Sequence, residues 1–396
     1  MGNTIVVIGG GASGLMAGIT AARAGAKVTI LEQNSKIGKK ILSTGNGRCN
    51  ITNLDQNSAY YRSNMPDFSK SVLQTLSVDD TLAFFQSIGI FTKDKNGYVY
   101  PRSNQAASVV EALTMEVRHL KIKCKTQEKV VRIEKTENGF TVFTETWHYD
   151  CDRVIVACGS KASVVEGSDG SGYILAKALG HSLVKPLPAL TGLRGMENWF
   201  SKWAGVRCEA TVSLFTDDEC VISDTGEVQL TDYGISGIPI FQISRYVSRA
   251  LEMNKRVSVR LDFVPDMSWE ELHRHFNNVL QYDENKKIKN LLIGFLPQKL
   301  ADVVAERVNS VEEAIHTIKE FDVRIKETMD FSHAQVCTGG VDCTELDSAT
   351  MESRVVPGVY ICGELVDVDG ACGGYNLQWA WSSGYLAGIS AAKEIL

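Results

Sequence analysis

At 396 residues the chain is too long for one simple core, so two or three domains are expected. Forty-one Lys and Arg against forty-seven Asp and Glu give a formal net charge of -6 with no basic block, which argues against nucleic acid or an anionic membrane as main partner and for a small ligand. The ten cysteines stand singly, without C-x-x-C or paired Cys/His spacing, so neither a metal centre nor a redox dithiol is expected, and with no secretory segment and no run of eighteen apolar residues the chain reads as cytoplasmic.

Residues 4–8, TIVVI, form a short β-branched run, followed at once by Gly9-Gly10-Gly11-Ala12-Ser13-Gly14 and the helical pattern LMAGITAARAGA. A second apolar run, KVTIL, ends at Glu32. Gly9, Gly11 and Gly14 thus stand in G-x-G-x-x-G register between a strand and a helix. Gly9 permits the tight turn, Gly11 lets the backbone approach a pyrophosphate, and Gly14 lets helix and strand pack closely. Ala12 and Ser13 lie at the positive end of the helix, where free N–H groups face phosphate oxygens. Glu32, eighteen residues past Gly14, would accept from an adenosine ribose and repel a 2'-phosphate, which suits FAD or NAD and disfavours NADP at this site.

Further βαβ units do not follow. Residues 38–53, GKKILSTGNGRCNITN, read as a polar loop whose backbone passes close to something flat or charged, with Lys39, Lys40 and Arg48 as cations. Tyr98, Tyr100 and Arg102 in NGYVYPRSN either line a substrate mouth or form a strand and turn. From Pro186 to about Val264 short alternating runs, EATVSLF, EVQL and RVSVRLDF, predict a small antiparallel sheet or barrel. Amphipathic helices are predicted in WEELHRHFNNVLQ, KIKNLLIGF, QKLADVVAERV and VEEAIHTIKEF. No second strand, Gly-rich turn and helix occurs in this middle, so a dedicated nicotinamide domain is not expected.

The last seventy residues hold a second Gly turn at a helix start: VYICGELVDVDGACGGYN, with Gly363-Glu364 ending the strand and Cys372-Gly373-Gly374 leading into LQWAWSSGYLAGISAAKEIL. FAD is long enough to need both turns. The first takes the pyrophosphate; the last helix aims its N-terminus at the flavin N1/O2 edge, with Asp369, Gly374, Asn376 and Leu377 as candidate contacts. Trp379 and Trp381 are expected in the core, since aromatics at i and i+2 do not share a helix face.

These four elements, G-G-G-A-S-G, the G-K-K loop with G-N-G-R-C-N-I-T-N, T-G-G-V at Thr338–Val341, and G-E-L-V-D with G-G-Y-N-L-Q, together resemble one bacterial flavoprotein family, the BaiN-like or aminoacetone-oxidase-like FAD-dependent oxidoreductases. The resemblance covers essentially the whole chain. It implies an α/β fold with FAD held noncovalently across a discontinuous Rossmann-like domain, residues 1–187 and 328–396, and an inserted β-barrel-like and helical substrate module, residues 188–265 and 266–327. More distantly, VIVACGS and GSDGSGYILAKALGH are similar to segments of the fumarate reductase and succinate dehydrogenase flavoprotein subunits, which implies Gly159 near the pyrophosphate and Val131 near the adenine. The chain departs from the family at Thr231-Asp232-Tyr233-Gly234, where members often carry Thr-His, so no histidine is carried over as proton donor.

Lys40, Ser43, Arg48, Cys49, Asn50, Gly363 and Glu364 complete the expected FAD contacts. Arg48 would pin an anionic or carbonyl group, or a flavin phosphate; Asn50 would meet developing charge; Tyr375 would donate a proton or simply pack. Cys49 and Cys372 are small buried hydrophobes or thiolate partners of the flavin. The resemblance implies NAD(P)H-driven reduction of a C=C bond in an apolar, steroid-like enone, with NAD(P)H as a transient visitor. An oxygen-using amine or aminoketone oxidase and a flavin-based redox sensor without turnover are the alternatives.

Overall fold

The run TIVVI becomes β1 (Thr4–Ile8), a central strand with Ile5 to Ile8 all buried, as a parallel strand covered on both faces requires. The computed structural model describes residues 3–163 and 165–393. The parallel sheet has five strands in the order Val359–Ile361, Arg153–Val156, β1, β2 (Lys27–Glu32) and Lys123–Thr126. Residues from both ends of the sequence therefore share one sheet. A separate three-stranded antiparallel sheet, Val130–Thr136, Gly139–Thr144 and His148–Cys151, precedes the strand Arg153–Val156.

Helix α1 (Ala12–Arg23) is buried from Ser13 to Ala21 because the final helix, Tyr375–Ala392, lies against it. Two glycines set that spacing. A Cβ on Gly384 would stand 2.4 Å from the Ser13 carbonyl oxygen, and one on Gly388 would stand 2.3 Å from that of Ala17. On the final helix, Trp379 donates its indole N–H to the Gly363 carbonyl and Trp381 donates to that of Ile51, both at 3.0 Å, so each large ring is buried with its one polar atom satisfied.

The chain divides into two compact units, Met1–Pro186 with Val336–Leu396, and Leu187–Gln335. The second contains a closed barrel of six strands: Leu193–Gly195, Gly234–Gly237, Glu219–Leu230, Arg207–Thr216, Val257–Asp262 and Phe321–Thr328. The sequence suggested two separate insertions here, a β part at 188–265 and a helical part at 266–327. The structure corrects this in two places. Phe321–Thr328 follows the helices and returns to close the barrel between Leu193–Gly195 and Val257–Asp262. Its alternating burial, with Phe321, Val323 and Ile325 inward, is the period of a strand and not of a helix. Ile238–Glu252, placed in the predicted β region, is a helix whose Ile240, Ile243, Val247 and Ala250 form one buried face. Helical Leu272, Phe276, Leu300 and Ile315 share their core with barrel residues Val212, Val259 and Leu261.

His181, which follows the helix Ser171–Ala178, lies 2.8 Å from Glu345 through Nδ1 and 2.8 Å from Ser353 through Nε2. The histidine is a buried structural tie within the first unit. Among the described residues no helix is long and apolar enough to cross a membrane.

Two outcomes follow from this packing. Gly388→Ala places a methyl into the Ala17 carbonyl and lowers stability by about 1–3 kcal/mol, read as a fall in thermal midpoint of about 2–4 °C per kcal/mol. Burial alone would push the Glu345 carboxyl up, but hydrogen bonds from Ser182 and His181 outweigh it and hold the value below the ordinary one. A group lowered by folding stabilises above its unfolded value and loses that contribution as pH falls through its folded value. The thermal midpoint therefore drops on acidification, and Glu345→Gln removes that part of the drop.

Candidate active site

The turn between β1 and α1 is built by close approach on one side and open space on the other. Gly9 has φ +106°, and a Cβ there would lie 2.4 Å from the Ala157 carbonyl oxygen. A Cβ on Gly14 would lie 1.9 Å from the Gly9 carbonyl, so the first helical turn sits on the strand end itself. Gly11 is the reverse: a Cβ there meets nothing within 4 Å, and the same holds at Gly159. Gly11 caps α1 without a side-chain hydrogen bond, and no acid lies in the first turn. The positive end of the helix is thus left for an anion. At the end of β2, the Glu32 carboxylate accepts from Gly10 N at 2.8 Å with one oxygen and from Asn34 N and Nδ2, each at 2.8 Å, with the other. It holds the turn closed and keeps lone pairs for a further donor.

The stretch from Gly38, predicted as a loop, begins with a short helix, α2 (Lys39–Ser43), entered through Gly38 in the left-handed region. Lys40 Nζ lies 2.6 Å from Glu364 Oε2, a pair made across 324 residues of sequence. Glu364 Oε1 accepts from Ser160 Oγ at 2.7 Å and from Cys337 N at 3.1 Å. Lys40 and Glu364, both expected as cofactor contacts, are therefore engaged with each other. Ser43 is exposed and its hydroxyl donates to the Lys40 carbonyl at 2.8 Å. Arg48 is exposed, donates to the Gly45 carbonyl at 3.2 Å and lies over the Tyr100 ring at 5.2 Å.

Cys49 is fully buried in the left-handed region, φ +60°. Burial pushes its thiol up to about 12 against a hydrogen bond with Thr44, and burial pushes that of Cys372 up to about 11. Burial therefore favours the thiol form of both and supports the small-hydrophobe reading over the thiolate one. Asn50 is 9% exposed, and its side-chain oxygen is buried without a hydrogen-bond partner. A Cβ on Gly374 would lie 3.0 Å from that oxygen, so the amide faces the start of the final helix.

On the C-terminal side, Gly363 has φ +74° and a Cβ there would meet Ser13 Oγ at 2.2 Å. Ser13 therefore packs on the Gly363 turn. Asn376, predicted to meet the flavin, staples its own turn: Oδ1 accepts from Gly370 N at 2.8 Å, and Nδ2 donates to the Gly370 and Ala371 carbonyls at 2.9 and 3.2 Å. Asp369 is buried where its strand pairs with Tyr61–Arg62, and Leu377 packs against the core. Val131 is 49% exposed on Val130–Thr136. Gly374 caps the final helix with φ +98°, again with no side-chain cap and no acid in the first turn. Tyr375 is buried, its ring 4.7 Å from that of Tyr60 and 5.7 Å from that of Tyr61.

Sequence reasoning missed Asn34, Ser160, Gln378 and the Tyr60-Tyr61 doublet. Gln378 accepts from Thr52 Oγ1 at 2.7 Å and donates to Thr81 and Ser382, locking the loop end to the final helix. The doublet was visible as a signal, but no motif tied it to Tyr375.

An uncapped α1 end with room at Gly11, an acid at the end of β2, an orphaned Asn50 carbonyl and a second uncapped helix start fit the polarity of FAD. Fold and site define a Rossmann-type flavoprotein, an FAD-dependent oxidoreductase. The chain belongs to the HI0933-like family: it matches the HI0933-like protein Rossmann domain over residues 3–390. It is 46% identical to the 3-dehydro-bile acid delta(4,6)-reductase of Clostridium scindens, over 99% of this chain and 100% of that protein. It is 31% identical to the ribosomal RNA dihydrouridine synthases of Haemophilus influenzae and Escherichia coli, over 98% of each chain. The 3-ketosteroid delta1-dehydrogenase of Sterolibacterium denitrificans shares the fold, with a TM-score of 0.51 at 10% identity over 98% of this chain and 99% of that one.

Gly11→Ala separates binding from folding. The added methyl points into open space, so the thermal midpoint of the FAD-free protein stays within about 1 °C while FAD dissociation rises on the order of 10-fold or more, about 1.4 kcal/mol. Gly14→Ala, by contrast, lowers the midpoint of the FAD-free protein itself. Equilibrium FAD titration and differential scanning fluorimetry read the two effects.

Proposed function

We propose that this chain is an FAD-dependent reductase that saturates a C=C bond conjugated to a carbonyl in a small apolar, steroid-like substrate, with electrons from NAD(P)H. The observation that carries the reading is the end-to-end 46% identity to a bile acid reductase. The Leu187–Gln335 unit is an antiparallel barrel with helices, not a second dinucleotide fold, which supports a nicotinamide that visits the flavin transiently. The ten free cysteines and the absence of a charged block fit a cytoplasmic enzyme of small-molecule metabolism.

Bound FAD would supply the two-electron reduction of the substrate carbon. The protein's own part is positioning and proton supply. The Gly9–Gly14 turn, with Ala12 and the open face at Gly159, would take the pyrophosphate, Glu32 the ribose, and exposed Val131 the adenine. The Lys40–Glu364 pair forms a wall beside Gly363, and Arg48 offers an exposed cation for a carbonyl or phosphate. Asn50 and the uncapped start of the final helix at Gly374 would hold the polar edge of the flavin. A helix end is worth about 0.3–2 kcal/mol to a nearby negative charge, and about 1.4 kcal/mol shifts a two-electron potential by about 30 mV. The Tyr375 phenol, buried at the start of the final helix, is protonated at neutral pH and is the O–H placed to donate to the carbon beside the carbonyl; burial pushes its value up and so makes it a weak acid.

The two 31% relatives support a second reading, reduction of a uridine in ribosomal RNA, where the C=C bond also lies next to a carbonyl. The net charge of -6 without a basic block weighs against a long phosphate backbone. Anaerobic stopped-flow decides. NADH or NADPH bleaches the flavin, and a keto steroid with conjugated double bonds restores its colour while uridine-containing ribosomal RNA does not. Restoration by RNA alone transfers the assignment to the second reading, and bleaching by an aminoketone in place of NAD(P)H makes the protein an oxidase.

A further inference from the structure

Tyr375 is buried between two tyrosines that differ in what lies behind them. On one side Tyr61, 4% exposed, meets it edge-on at 5.7 Å, and the Tyr61 hydroxyl is closed off by donating to Gln56 Oε1 at 2.6 Å. On the other side the ring of half-buried Tyr60 lies at 4.7 Å and 30°. The Tyr60 hydroxyl donates to Asp55 Oδ2 at 3.0 Å, and Asp55 is exposed. The turn carrying these groups is fixed to the Tyr375 end of the molecule. Asn53 accepts from Asp55 N at 3.0 Å and donates to the Gly373 carbonyl at 3.0 Å, two residues before Tyr375. Asn57 caps the Ser58–Tyr60 turn by accepting from Ala59 N at 2.9 Å.

We propose that Tyr60 and Asp55 form a proton relay that recharges Tyr375 from solvent between turnovers. The relay rests on the reductase reading given above. In each turnover the substrate gains two electrons and one hydrogen from reduced FAD, itself reduced by NAD(P)H, and one proton from the Tyr375 O–H. One C=C π bond becomes two C–H bonds, and Tyr375 is left as phenolate. That oxygen then takes a proton delivered along Tyr60, and Tyr60 regains one from water through the Asp55 carboxylate. The charge balance closes with one proton drawn from solvent per product.

The titratable groups facing Tyr375 are Tyr60, Tyr61, Tyr98 and Asp55. Burial first, then Tyr60, Asp55 and Tyr98, push the Tyr375 phenol up. The hydrogen bond to Asp55, then its charge, push the Tyr60 phenol up in turn. Both phenols therefore rest protonated, and the carboxylate at the surface is the group that exchanges with water. Tyr60 and Asp55 are positioning residues, acting through Tyr375.

The test uses the full chain loaded with FAD. Tyr375→Phe slows recovery of flavin colour by a keto-steroid enone on the order of 10²-fold, the size of a general-acid contribution. Tyr60→Phe and Asp55→Asn slow repeated turnover roughly 10-fold more than they slow the first, raise the solvent deuterium isotope effect on kcat, and leave KM and FAD affinity unchanged. Wild-type kcat and isotope effect in both variants overturn the relay. If no enone reoxidises even the wild-type flavin, the reductase reading fails, and tyrosinate absorbance in the FAD-loaded protein judges the coupling separately. There Asp55→Asn moves the titration of at least one phenol to lower pH, and an unmoved curve overturns the coupling.

Discussion

In the first unit two helices meet backbone against backbone, where Gly384 and Gly388 of the final helix lie on the carbonyls of Ser13 and Ala17 in α1. No side chain larger than hydrogen fits there without displacing one helix from the other. That contact decides where the two Gly turns stand, because α1 begins at one and the final helix at the other. Gly363 on Ser13 and Lys40 on Glu364 repeat the same join at higher levels, from helix to turn to side chain. The two Gly turns thus stand at a separation set by a pair of missing methyl groups.

Polar groups around the crevice fall into two kinds. Glu364, Asn376 and Gln378 are consumed by the protein: each has several hydrogen bonds to backbone or side chain and forms a wall or a staple. The Asn50 oxygen, the open face of Gly11 and the two uncapped helix starts are not consumed. Buried polar atoms are costly to leave unmet, so a site that keeps them is organised for a ligand that supplies the missing partners. Burial has the opposite result for sulfur, since it keeps the Cys49 thiol protonated and therefore inert.

What the sequence disclosed, and what it withheld, divides along distance in the chain. The strand, Gly turn, helix and acid of the first thirty-two residues are one local unit, and each glycine's role follows from its place in that unit. That nearby backbone already engages Ser43 and Asn376 was not legible, because a motif position says which loop a side chain belongs to and not what it bonds there. Phe321–Thr328 was hidden because VEEAIHTIKEF runs a helical period into a strand period without a Gly or Pro between them. Alternation alone would have revealed it, but its partners are more than sixty residues upstream. The Tyr60–Tyr375 contact is still less local, and nothing short of the fold brings those rings together.

The Lys40–Glu364 pair also sets an order in time. A ribosome must make 324 further residues after Lys40 before its partner exists, and the final helix comes later still. The Leu187–Gln335 unit, contiguous in sequence, is free to fold while the strand that completes the parallel sheet is still unmade. Both uncapped helix starts are therefore present together only late in the life of the nascent chain, after the contiguous unit between them has been made.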